Sequence, residues 1–270
     1  MLRWLVRGLR KGLVVLAFFA FGVGALLLSL LAVPVLKLLP GGLAQYQRRV
    51  QRLTKGGFRL FHGYMRVCRL VDFAPTTTRV DLPAGPCVII ANHPTLIDVT
   101  AILAALDGVA CVVKHKHFQG PMRPLLMANC HIDGGDGSAA AGAAVVMQAL
   151  DRLQAGMAVL IFPEGTRSPE GGLNAFHRGA FEIARRANVP IVPLMVTCDP
   201  PILAKEAPWH RVPPHAVALR IGRLPTLLSA QAPKQTKEWA TQCEAMYRQQ
   251  LPAAHRLNPN DLAMAMDAVA

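Results

Sequence analysis

The chain is 270 residues long, enough for one α/β core with an appendage, and it carries a formal charge of +13 on a composition that is 52% hydrophobic. Residues 1–71 hold twelve Lys or Arg and no Asp or Glu, while the other 199 residues carry 17 basic and 16 acidic side chains. The basic excess therefore flanks one hydrophobic segment, which fits an anionic lipid surface and excludes nucleic acid as the expected partner.

That segment spans residues 13–36, 24 positions without a charge. At the helical rise it is roughly 36 Å long, more than the hydrocarbon core of about 30 Å, so it predicts a membrane helix within an anchor of residues 1–40. A cleaved signal peptide is the alternative, against which stand the length of the apolar run and the lack of a small-x-small site. Basic residues stand on both sides, so the charge rule leaves the orientation open, and Pro34 leaves a re-entrant helix open as well. Over residues 41–80, Tyr46, Val50 and Leu53, then Phe58, Phe61 and Met65, recur at helical spacing among arginines, with Gly56 and Gly57 between them. Two amphipathic helices on the membrane surface are expected, with packing against the following domain as the alternative.

Pro and Gly at 82–86 mark the start of a domain expected over 81–255, followed by a loose tail at 256–270. Apolar runs of strand length fall at 87–91, 109–113, 157–162, 190–197 and 216–221. Helical patterns fall at 96–106, 139–154, 179–187 and 237–250. Runs that are apolar throughout, separated by helices, predict an α/β fold with a central, mostly buried mixed sheet flanked by helices. The six cysteines stand alone at wide spacings, as reduced thiols of a cytosolic domain do. His115 and His117 alternate with Lys114 and Lys116, whose charge disfavours a metal ion, and no metal is expected.

Two stretches carry chemistry. Asn92-His93-Pro94-Thr95-Leu96-Ile97-Asp98 follows a buried run, and Thr95 and Asp98 have capping-box spacing, so a helix is expected to begin at Thr95. Within one helix, five residues would set His93 and Asp98 about 140° apart, so their contact requires the turn at Pro94 and Thr95. A carboxylate on one imidazole nitrogen fixes the tautomer and leaves the other to take a proton from a substrate hydroxyl. The second stretch, Phe162-Pro163-Glu164-Gly165-Thr166-Arg167-Ser168, also follows a buried run and gathers backbone amides and a guanidinium in one turn, a setting for an anion. Gly135-Asp136-Gly137-Ser138 imitates a dinucleotide fingerprint but lacks a downstream acidic ribose partner. Neither a G-x-S-x-G elbow nor a Walker loop is present.

Together the two stretches resemble the glycerolipid acyltransferase family, that is, 1-acylglycerol-3-phosphate acyltransferases and their lysophospholipid relatives, over roughly residues 86–200. The first family block matches Asn92, His93 and Asp98, the third matches 162–168 intact, and the fourth matches Val189-Pro190-Ile191-Val192-Pro193. The resemblance implies His93 as general base, Asp98 as its partner, and Glu164, Gly165, Thr166 and Arg167 around the acceptor. It places Lys114 or amides near Gly165 on the thioester oxyanion. It also implies transfer of an acyl group from acyl-CoA or acyl-carrier protein, without a resident cofactor, to a hydroxyl of a lipid acceptor. The membrane would be the inner, cytoplasmic one, with the catalytic domain facing the cytoplasm. The second block departs: where relatives with phosphate-bearing acceptors show Ile-Asp-Arg, this chain reads Ile132-Asp133-Gly134. An acceptor without phosphate, or one held by Lys114, Lys116 or Arg123, stays open, as do a silent lipid-binding scaffold and a thioesterase. Oligomeric state is not written in the sequence.

Overall fold

A computed structural model of the chain describes residues 2–73, 80–203 and 212–251; the expected tail at 256–270 lies outside the described residues. The chain begins as a helical rod made of α1 (Leu2–Leu27), one π turn (Leu28–Ala32) and α2 (Val33–Leu38). Pro34 cannot donate to the carbonyl four residues back, and its ring crowds that carbonyl, so the widened turn just before it lets the rod continue. Within the rod, Gly8–Leu38 is long and apolar enough to cross a membrane. Most of its apolar side chains face outward, Phe19 being 68% exposed. Its one buried polar group is satisfied from outside: the Ser29 hydroxyl donates to the Pro121 carbonyl at 2.6 Å.

The segment after the rod is one helix, α3 (Leu43–Val67), rather than the two expected on either side of Gly56 and Gly57. Glycine lowers helix propensity by only about 1 kcal/mol, and here tertiary packing outweighs it. The α1 rings grip the far half of α3, with Phe21 and Phe61 centroids 4.9 Å apart and Phe18 and Phe61 5.8 Å apart. Tyr64 donates its hydroxyl to the Leu13 carbonyl at 3.1 Å. Phe61 and Met65 thus join the main core, and the other face of α3 keeps Leu60 and Val67 exposed.

The sheet has seven strands in the order β1-β7-β6-β2-β5-β3-β4. They are β1 (Val71–Phe73), β2 (Val88–Ala91), β3 (Val109–Val113), β4 (Ile132–Asp133), β5 (Ala158–Ile161), β6 (Ile191–Asp199) and β7 (Val217–Arg223). All pairs are parallel except β6 with β7. Along β2 and β5 alternate residues face opposite sides: Ile89 and Leu160 pack toward α1, α3 and α4 (Asp98–Ala105). Val88 and Val159 pack toward α6 (Ala139–Gln154), α7 (Gly179–Ala187) and α8 (Thr236–Gln250). The expected helices at 139–154 and 179–187 are found with those bounds. Helix α4 starts at Asp98, later than expected, and β1, β4 and the six-residue α5 (Arg123–Ala128) were not expected, being too short to show a period. Because β1 pairs with β7, the sheet begins before residue 81.

The chain leaves β2 for β3 on one side of the sheet and leaves β5 for β6 on the other, crossing between them. Such a reversal is where the ligand crevice of an open α/β sheet is expected, here outside the carboxyl ends of β2 and β5. Behind it, buried Tyr247 of α8 donates to the carbonyls of Ile90 and Leu194, 3.1 Å from each, on a seam to which Pro193 brings no N–H.

Two imidazoles, His131 buried and His62 half-buried, make the fold sensitive to acid. Burial lowers His62, which meets the Thr100 hydroxyl at 2.9 Å, to about 4. It lowers His131, whose Nδ1 accepts from the Cys111 amide at 3.1 Å, to about 4 as well. An imidazole depressed on folding adds stability above about pH 6.5 that is lost as pH falls toward 4. Unfolding by denaturant at several pH values should show stability declining over that window. In His131→Asn, whose Oδ1 can take the Cys111 bond without titrating, the decline should be shallower.

Candidate active site

Each half of the site is a turn that leaves a buried parallel strand. After β2, Asn92 stays in the sheet plane and its side-chain amide acts as one more peptide rung. Its Nδ2 donates to the Val196 carbonyl at 2.9 Å, and its Oδ1 accepts from the Val196 amide at 2.7 Å. This keeps β2 and β6 together for one residue beyond their ladder and delivers His93 to the edge at a fixed height.

The chain then turns through Pro94 and Thr95 and enters α4 at Asp98. The Asp98 carboxylate is fully buried, and its Oδ2 stands 2.9 Å from His93 Nδ1. Burying a carboxylate is costly unless it is hydrogen-bonded. The Thr95 amide donates to both of its oxygens at 3.1 Å, and the Thr95 hydroxyl donates to Oδ1. That hydroxyl in turn accepts from the Ile97 amide at 3.0 Å. Thr95 is therefore a brace for the carboxylate more than a cap for the helix, which is why the helix begins three residues after it. A carboxylate oxygen can only accept, so the proton on the imidazole sits on Nδ1 and Nε2 carries a lone pair. Nε2 has no hydrogen-bond partner among the described residues, and the His93 side chain is 18% exposed. The Phe162 ring packs against the imidazole at a centroid distance of 4.5 Å and limits its rotation.

The turn after β5 is locked to the first turn by Glu164. Its Oε1 accepts from the His93 amide at 3.1 Å and from the Ser168 hydroxyl at 2.6 Å. Its Oε2 accepts from the Asn174 amide at 2.8 Å and from Asn174 Nδ2 at 3.0 Å. The Ser168 amide completes the clasp by donating to the His93 carbonyl at 2.8 Å. Burial pushes the Glu164 carboxyl above the usual glutamate range, while its four donors pull the other way. Both oxygens are thus used inside the protein. Glu164, expected beside the acceptor, faces inward here and fixes the two turns to each other.

The other expected residues divide. Gly165 adopts φ +65°, and a side chain there would stand 3.3 Å from the His177 ring. Its amide donates to the Phe162 carbonyl at 3.0 Å and is committed inside the turn. Thr166 is half-exposed at the tip of the turn. Arg167 is half-buried, and its Nη1 donates to the Leu203 carbonyl at 2.6 Å, so it joins this turn to the segment after β6. Lys114 is exposed at the end of β3, beyond β5, and no hydrogen bond or ion pair joins it to His93 or Asp98. Asn92, Asn174 and Ser168 were missed as site-forming residues. Asn92 and Ser168 stood inside the two motifs; Asn174 carried no signal, because its partner lies ten residues back across an irregular loop.

Residues 75–197 match the family model described as Acyltransferase. The human 1-acyl-sn-glycerol-3-phosphate acyltransferases beta and alpha are 33% identical over 116 residues and 34% identical over 127 residues. The matches cover 42% and 43% of this chain, and the chain spans 41% and 42% of those relatives' lengths. The crystal structure of the 1-acyl-sn-glycerophosphate acyltransferase PlsC from Thermotoga maritima superposes with a TM-score of 0.66 at 17% identity. That match covers 90% of this chain and 97% of the other, and it is a likeness of fold.

If Glu164 braces the two turns, Glu164→Ala should lower unfolding free energy by about 2–3 kcal/mol, because several buried donors lose their acceptor. Denaturant titration measures this. Unchanged stability together with a selective loss of acceptor affinity would return the residue to the binding role.

Proposed function

We propose that this chain, whose residues 75–197 match the Acyltransferase family model, is a glycerolipid acyltransferase that transfers an acyl group from a thioester to the hydroxyl of a lysophospholipid-type acceptor. The observation that carries the reading is the pairing of His93 Nδ1 with a fully buried Asp98, which leaves Nε2 as a free base in the crevice between β2 and β5. Within the second turn the Ser168 hydroxyl donates to Glu164 and is not presented to a substrate. No side-chain hydroxyl is hydrogen-bonded to His93 Nε2 among the described residues, and in this reading the attacking oxygen is the acceptor's own.

As the acceptor oxygen attacks the thioester carbonyl, its proton passes to His93 Nε2. Asp98 stabilises the imidazolium that forms. The tetrahedral intermediate collapses with a new C–O bond and a broken C–S bond, and the imidazolium returns its proton to the departing thiolate. Ester and free thiol are the products, so no redox partner or resident cofactor enters the balance. With the Gly165 amide already committed, stabilisation of the oxyanion falls to donors further along the turn, a contribution of order 10²–10³ in rate where such donors are removed.

The acceptor chemistry supported by the relatives' names is a 1-acylglycerol-3-phosphate, and the donor is acyl-CoA or acyl-carrier protein. The apolar rod at Gly8–Leu38 suits an anchor for an enzyme whose acceptor dissolves in a bilayer. The basic residues of α3 suit the anionic lipid beside it. Because the thioester donor is cytosolic, the crevice would face the cytoplasm from the inner membrane.

The test is release of free thiol from acyl-CoA by the purified protein in mixed micelles, with and without 1-acylglycerol-3-phosphate. Acceptor-dependent release is expected. His93→Ala should stay with the membrane fraction and lose roughly 10²–10⁴ of the rate. Near-normal turnover by that variant would remove His93 as the base, and release without any acceptor would mark a thioesterase.

A further inference from the structure

On the far side of β6 from the crevice, the start of α1, the end of α3 and the amino ends of β1 and β7 enclose a hollow of about 470 Å³ that the mechanism above does not use. Arg10, Arg66, Arg69, Asp72 and His215 are among its lining residues, so three guanidinium groups stand there against one carboxylate. Arg10 is held rigidly: its Nε, Nη1 and Nη2 donate to the carbonyls of Pro213, Arg69 and His215 at 2.9–3.0 Å. Carbonyls take its protons without cancelling its charge, and a guanidinium has five N–H groups, so two are left over. Arg66 and Arg69 are exposed and make no hydrogen bond or ion pair among the described residues.

Arg69 occupies a backbone position that suits glycine. The Leu70 amide donates to the Met65 carbonyl at 2.8 Å and the Arg69 amide to the Arg66 carbonyl at 2.9 Å, which is the hydrogen-bond pattern of a Schellman stop to α3. Arg69 itself has φ +52°, the left-handed conformation that such a stop requires and that strains any residue with a Cβ. Its guanidinium offsets none of that strain by a contact within the described residues. Strained backbone persists where function needs the side chain it carries, and the group that Arg69 brings to the hollow is a free cation.

Resting on the acyl-transfer reading, we propose that Arg66 and Arg69, with Arg10 behind them, hold the phosphate at the far end of the donor's pantetheine arm. Strand direction puts the hollow at the right edge. β7 is antiparallel to β6 and parallel to β1, so the amino ends of β1 and β7 lie at the edge where β2 delivers His93. The helices agree: the His62 ring of α3 meets the Thr100 hydroxyl of α4 at 2.9 Å, two residues past Asp98, and Arg66 is one turn further along α3 toward that edge. In the order β1-β7-β6-β2 the hollow stands two to three strand spacings from β2, about 10–14 Å. An extended chain advances about 3.3–3.6 Å for every three bonds, so the thirteen bonds from a pantetheine sulfur to its phosphorus reach roughly 15 Å. By the same measure the four bonds from an acceptor's hydroxyl oxygen to its phosphorus reach only about 5 Å, which excludes the acceptor phosphate from this hollow. Acyl-CoA and acyl-carrier protein both carry a phosphate at this point of the arm, and guanidinium forks suit its oxygens.

The experiment follows acyl transfer by the purified full chain in uncharged micelles with three donors: acyl-CoA, acyl-carrier protein, and S-acyl pantetheine, which lacks the phosphate. For the double variant Arg66→Gln with Arg69→Gly, the KM for a phosphate-bearing donor should rise about tenfold or more, the loss expected for charge-assisted hydrogen bonds. Whichever of the two phosphate-bearing donors shows the rise is the source of the phosphate. The kcat should stay within about twofold, and the KM for S-acyl pantetheine should not change. Because glycine relieves the backbone at 69, the variant should unfold at the same temperature or higher, which separates a lost grip from a lost fold. An unchanged KM for both phosphate-bearing donors, or an equal rise for S-acyl pantetheine, overturns the proposal. So does weaker binding to phosphatidylglycerol vesicles with every donor KM unchanged, which assigns the hollow to a lipid headgroup. Equilibrium binding of radiolabelled CoA separates the proposal from the reading beneath it. If the unmodified chain shows no transfer yet binds CoA about tenfold more tightly than the double variant, acyl transfer fails and the grip stands. Equal binding of CoA and of acyl-carrier protein by the two proteins refutes the grip whether or not turnover is seen.

Discussion

The arrangement at the crevice depends on one carboxylate that touches no solvent. Glu164 collects donors from the turn after β2, from its own turn and from the loop that leads to α7, so three irregular segments share a single acceptor. Irregular backbone at the end of a sheet has no ladder to hold it, and its polar groups need partners from elsewhere. A buried carboxylate meets that need strongly because charge-assisted hydrogen bonds are about twice as strong as neutral ones. With the second turn fixed, Phe162 packs on the His93 ring, and the imidazole can swing neither away from Asp98 nor into the crevice. The pair that performs the proposed chemistry is thus held from behind by Asp98 and Thr95, and from the side by the neighbouring strand.

The same economy links the site to the rod. Arg10, near the start of the apolar helix, donates to the carbonyls of Pro213, Arg69 and His215 at 2.9–3.0 Å, all on the carboxyl-end edge of the sheet. Ser29 near the other end is fastened to the Pro121 carbonyl. Two polar fastenings about nineteen residues, or roughly 28 Å, apart fix the rod against the sheet. A helix merely tethered by a linker would leave the crevice free to tumble above a membrane. This rod holds a defined angle to the sheet, because α3 packs along it and into the core of the sheet.

Gly56 and Gly57 show how a local signal can be correct in kind and wrong in consequence. They lower helix propensity as expected, yet Phe58 and Phe61 beyond them are drawn onto Phe21 and the helix runs through. Fully burying a phenylalanine side chain stabilises by about 1.5–3 kcal/mol, against about 1 kcal/mol for each glycine, and two phenylalanines share the contact. The position of Lys114 relative to His93 is a related case. Its position in the order of motifs was legible, but which strand lies between it and His93 is a property of the sheet, and β5 enters that gap from more than forty residues downstream.

What the sequence determined by itself is the set of features whose cause is local: the apolar rod, the five long strands and the helices of the second face, and the two turns with His93, Asp98 and Glu164 in the right order. Periodicity, apolar run length and motif spacing are read within a window of neighbours, and these features need nothing more. Tertiary structure alone decided which way each polar group in those turns faces. Glu164 turned inward, Arg167 went to Leu203, Asn92 became a rung of the sheet, and His115 met Asp133 across eighteen residues. Each of these is a hydrogen bond between atoms brought together by strand order, and strand order is settled by burial across the whole sheet, which no window along the chain contains.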